Sequence, residues 1–73
     1  MHPDEVKALI AGHLPQAEVR VGGDGRHFEA VVVCDAFAGK SMIQRHQMVY
    51  RTLGGKMGNE IHALSLRTLA PGE

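Results

Sequence analysis

The chain has 73 residues, with eight Lys or Arg against eight Asp or Glu, five histidines, one cysteine and no tryptophan. That length makes one domain with a thin core and leaves no room for a deep pocket around a large substrate. The balanced charge gives no prediction of nucleic-acid binding, the lone cysteine excludes an internal disulfide framework, and no apolar run approaches the roughly 18 residues of a membrane span. The start, Met-His-Pro-Asp-Glu, has no signal-peptide shape, so the expectation is a soluble cytoplasmic protein in a reducing compartment.

Pro3 suits the first turn of a helix, and Asp4 and Glu5 suit the positive end of its dipole. Val6, Leu9, Ile10 and His13 or Leu14 share a face before Pro15 stops it, which predicts a helix over about 3–13. Ala17–Val21 alternates with period two and reads as a strand with Val19 and Val21 inward. Gly22-Gly-Asp-Gly25 is a turn, with Arg26 and His27 at its far edge. Phe28–Cys34 is β-branched and apolar enough for a central strand paired with the first as a hairpin.

Phe37 to Leu53 reads as a turn feeding an amphipathic helix, with Phe37 as apolar anchor, a bend at Gly39 and Ser41 as N-cap. Gln44 stands at capping-box spacing from Ser41. Ile43, Tyr50 and Leu53 are expected to form the inward stripe, with Met57 continuing it and His46 or Gln47 filling its gap; Arg45 and Arg51 are placed on the solvated side. Gly54–Gly58 favours a C-cap and turn. Ile61–Leu69 is a third strand, with His62, Leu64, Leu66 and Thr68 on one face, and Ala70–Glu73 is expected to fray. The resulting order, αββαβ, predicts an α+β domain: a mixed three-stranded sheet covered by helices on one face.

Few residues carry chemistry. Gly39-Lys40-Ser41 invites a phosphate-loop reading, but the position where that motif needs its first glycine is Cys34, so a turn with an N-cap is the better account. Cys34 has no Cys-x-x-Cys partner and reads as a small buried residue. His2 and His13 lie at helix or chain ends and are read as incidental, and His46 as a half-buried, hydrogen-bonded residue of the helix. His27 and His62 stand out because each opens a strand beside a glycine-containing loop. From spacing alone, two ordinary rim histidines come before a metal pair, and two ligands make an incomplete site that needs a partner or a small thiol. Lys40, Arg45, Arg51 and Lys56 make a modest basic side around the second helix: a solvated face in the ordinary reading, a weak nucleic-acid surface in the alternative. No paired carboxylates, nucleophile with base or cofactor loop supports an enzyme.

Phe37-x-Gly39-x-Ser41, Gln44-Arg-His-Gln-Met-Val-Tyr50 and Ile61-His-Ala-Leu-Ser-Leu-Arg-Thr68, with the spacing between them, resemble the BolA-like family, whose αββαβ fold is related to one type of KH domain. Gly23-Asp-Gly-Arg-His-Phe28 resembles the hairpin loop of its short, acid-stress-linked bacterial members. The likeness covers roughly residues 3–69 of a single 1–73 domain. It implies a non-enzymatic adaptor that pairs with a monothiol glutaredoxin and shares a [2Fe–2S] cluster with it, the glutaredoxin supplying a cysteine and a bound glutathione. It implies His62 as one iron ligand and, from the loop between the first two strands, His27 as the other. Imidazole in place of thiolate raises the potential and makes ligation pH-sensitive. Alone, the chain is expected to hold no cofactor, to be a monomer or weak homodimer, and to have no membrane association. Some members are DNA-binding regulators, which would use the side carrying Lys40, Arg45, Arg51 and Lys56. Two departures are noted: Gly54–Gly58 replaces an acidic helix end, and the chain stops at Ala70-Pro-Gly-Glu73 where members often add a helix.

Overall fold

A computed structural model describes all residues, Met1–Glu73. The elements are α1 (Pro3–His13), β1 (Glu18–Gly23), β2 (His27–Val33), α2 (Met42–Leu53) and β3 (Ala63–Leu69), with single 3-10 turns at Asp35–Phe37 and Gly54–Lys56. The sheet order is β1-β2-β3: β1 and β2 are antiparallel, and β2 and β3 are parallel. A tight turn suffices for the first pair, whereas the parallel pair needs a crossover, which α2 supplies.

β2 is the central strand, paired with β1 on one side and β3 on the other, and alternate residues along it build the core. Phe28, Ala30, Val32 and Cys34 are buried under the helices, facing Val6 and Ile10 of α1, Val49 and Leu53 of α2, and Phe37. Both helices therefore cover one face of the α+β sheet, while Glu18, Arg20 and Glu29 mark the open one. Cys34 is packing material at the end of β2, 5% exposed.

The helix starts are set by side chains. The Ser41 hydroxyl accepts from the Gln44 N–H at 3.2 Å and Gln44 Oε1 accepts from the Ser41 N–H at 3.0 Å, the expected capping box. His2, read as incidental, makes the equivalent box on α1: its Nδ1 accepts from the Asp4 N–H at 3.1 Å, and its own N–H donates to Glu5 at 3.2 Å.

Three expectations are corrected. The inward face of α2 carries Val49, Thr52 and Leu53; Ile43 and Tyr50 point to solvent, with Ile43 71% exposed. At 100° per residue the true face is rotated by roughly a third of a turn from the Ile43–Tyr50 stripe. Arg45 is not on the solvated side: its side chain is 13% exposed. It reaches under the chain, where Nε donates to the Lys40 carbonyl at 3.0 Å and the two Nη atoms hold both Glu73 carboxylate oxygens at 2.6 and 2.9 Å. Consequently Ala70–Glu73 is not frayed: Glu73 also accepts from the Ala70 N–H at 2.9 Å, and Ala70 is buried. The hydrogen bonds from Arg45, followed by the Ala70 N–H, pull the Glu73 pKa down to about 2.

No helix is long and apolar enough to cross a membrane.

Candidate metal centre

Strand directions decide what meets at the sheet's end. β1 finishes, and both β2 and parallel β3 begin, at the same edge; His27 is the first residue of β2 and is in register with Ala63 of β3. His62 immediately precedes Ala63, so two histidines 35 positions apart in sequence become neighbours. Their ring centroids stand 5.5 Å apart at an interplanar angle of 80°.

Each ring is mounted on tied backbone. Asp24 Oδ1 accepts from the N–H groups of Arg26 at 2.9 Å and His27 at 2.8 Å, while the Asp24 N–H donates to the His27 carbonyl at 3.2 Å. Those two N–H donors, His27 first, hold the Asp24 pKa at about 2, below the ordinary 3.8. The turn closes at Gly23, whose φ is +145°; a β-carbon there would run into the His27 carbonyl oxygen. Across the gap, the Ala63 N–H donates to the Arg26 carbonyl at 3.1 Å, clamping the hairpin turn to the start of β3. His62 follows Ile61, which is fully buried and whose N–H donates to the Lys56 carbonyl at 3.0 Å.

Both histidines remain reachable, and the His27 side chain is 63% exposed. No third His, Cys, Asp or Glu joins them in a group able to hold a metal unaided. Two imidazoles are the complement that one iron of a [2Fe–2S] cluster would take beside its bridging sulfides, the other iron then needing ligands from another molecule. The sequence placed both residues at strand starts; their adjacency follows from the parallel register, which residue spacing alone does not reveal.

The other singled-out residues lie elsewhere. Lys40 and Arg51 are exposed on and beside α2. Arg45 is occupied by Glu73, and Lys56 Nζ donates to Glu60 at 3.1 Å. The basic side is therefore half committed to internal ion pairs. His46 stacks edge-on near Tyr50 at 6.4 Å, away from the histidine pair.

A family model described as BolA-like protein matches residues 5–73. The acid stress protein IbaG of Escherichia coli K12 is 35% identical over 74 residues, spanning all of this chain and 88% of that protein. The DNA-binding transcriptional regulator BolA of the same organism is 41% identical over 46 residues, 63% of this chain and 44% of its own length. Among solved structures, a bolA protein homologue from Coxiella burnetii superposes with a TM-score of 0.87 at 43% identity, covering 97% of this chain and 92% of that one.

Proposed function

Because this chain belongs to the BolA-like family, we propose that it is a non-enzymatic adaptor: it docks a monothiol glutaredoxin and co-ligates a [2Fe–2S] cluster through His27 and His62, for iron–sulfur trafficking or iron and stress regulation. The observation that carries the reading is the 5.5 Å approach of two exposed imidazoles on hydrogen-bonded backbone, in no group of three side chains able to hold a metal ion unaided. A pair so placed is open to completion by a partner's thiolates and is poorly suited to a metal of its own. His27 and His62 bind; Asp24, Gly23 and Ile61 fix where they stand. The glutaredoxin would bring a cysteine and a bound glutathione.

The test is anaerobic co-expression with a monothiol glutaredoxin, followed by visible absorption and circular dichroism of the purified pair. The expected result is a spectrum distinct from that of glutaredoxin alone, lost in His62→Ala and altered in His27→Ala, with both variants folded. A wild-type spectrum unchanged by His62→Ala contradicts the ligand assignment.

A second reading, a KH-like nucleic-acid-binding regulator, is favoured by the similarity to a protein named as a DNA-binding transcriptional regulator and by the exposed Lys40 and Arg51. It predicts binding that falls with salt and falls further when Lys40 and Arg51 are neutralised. Binding without a salt slope excludes it. The pairing of Arg45 and Lys56 within the chain makes it the weaker of the two.

A further inference from the structure

We infer that Asp24 is a positioning residue for His27, holding the neutral ring with its proton on Nδ1 and leaving Nε2 as the nitrogen that faces a metal. The consequence at iron rests on the adaptor reading; the hold on the ring is a property of the free chain.

The two carboxylate oxygens of Asp24 have different tasks. Oδ1 takes the backbone N–H groups of Arg26 and His27, which locks the carboxylate relative to the peptide that carries the His27 ring. With that oxygen fixed, Oδ2 stands 3.6 Å from His27 Nδ1. An ionised carboxylate only accepts, so its nearness favours the tautomer with N–H on Nδ1 over the one that turns a lone pair toward it. At 3.6 Å the contact lies beyond hydrogen-bond distance and acts as an electrostatic bias. Carboxylate partners of this kind fix the tautomer and the orientation of metal-binding histidines and raise their donor strength. The backbone ties argue against a casual surface contact: the same turn is clamped to β3 through Arg26 and Ala63, and its closure requires the bare Cα of Gly23. His62 has no carboxylate ion-pair partner, which makes it an internal control.

The experiment uses Asp24→Asn. The amide oxygen can still accept from Arg26 and His27, so the turn survives, while the charge beside Nδ1 is removed. Long-range nitrogen–proton NMR on the free full-length chain reads the tautomer of each neutral histidine. The expected result is a predominantly Nδ1–H ring at His27 in the parent, a several-fold fall in its Nδ1–H to Nε2–H ratio in Asp24→Asn, and no change at His62. In the glutaredoxin pair, the same variant should hold its cluster about 10-fold less tightly, as loss of such a partner does elsewhere. A His27 tautomer unchanged by Asp24→Asn overturns the inference whatever the cluster does. Absence of any cluster in the parent pair, alongside the tautomer shift, overturns the adaptor reading and leaves the role of Asp24 in the free chain standing.

Discussion

Gly23→Ala and Gly22→Ala, one position apart, should behave oppositely. At Gly22 a β-carbon meets nothing within 4 Å. At Gly23 it collides with the His27 carbonyl and stands 2.9 Å from Phe28 Cα, in a backbone conformation at φ +145° that L residues rarely adopt. The obstructing atoms are backbone, so no rotamer change relieves the clash and the turn must open. Such backbone strain costs about 1–3 kcal/mol. A domain of this length has a stability on the order of 4–11 kcal/mol. With a urea slope of about 1 kcal/mol per M, the midpoint should fall by about 1–3 M for Gly23→Ala. For Gly22→Ala the stability should stay within about 1 kcal/mol of the parent. Because the same turn carries His27, ring-to-ring nuclear Overhauser effects between His27 and His62 should weaken in Gly23→Ala only. Equal urea midpoints for the two variants would refute the account of how the hairpin presents its histidine.

Other consequences follow from the core and the ion pairs. Phe37→Ala removes a fully buried ring and should cost about 3–5 kcal/mol, which at the same urea slope lowers the midpoint by about 3–5 M; a midpoint within about 1 M of the parent would contradict its place in the core. Ser41→Ala should cost about 1 kcal/mol in urea melts by removing half of the capping box on α2. Glu73, at about 2 in the folded chain against an ordinary 4.5, contributes stability that is fully present above the ordinary value and lost as pH falls through about 2. Urea midpoints taken from pH 5 down to pH 2 should therefore decline in the parent and decline less in Glu73→Gln. A residual slope belongs to Asp24, which titrates in the same direction and window.

The legible parts of the fold are those written in local chemistry. Pro3 with Asp4 and Glu5, the Ser41–Gln44 box and the alternation through Phe28–Cys34 each specify a backbone conformation within a few residues, and each is found. The α2 face was misread because Ile43 and Tyr50 lie seven apart, one face of a helix, while burial is set by what lies opposite. Val49 and Leu53 pack into the core with the β2 residues, and Arg45 reaches the Thr68 carbonyl of β3. The ordered end at Glu73 was invisible because its partner is 28 positions away. The histidine pair is a similar case: residue spacing marked His27 and His62 as exposed strand starts, and only the resemblance brought them to one iron before the β2–β3 register placed the rings 5.5 Å apart.

The most direct test of the central claim labels only the histidines of this chain with nitrogen-15, reconstitutes the pair with unlabelled glutaredoxin and glutathione, and reads the reduced cluster by pulsed electron–nuclear double resonance. The account predicts two strongly coupled nitrogen-15 nuclei, one lost in His27→Ala and the other in His62→Ala. A cluster with no nitrogen-15 coupling from this chain would contradict it.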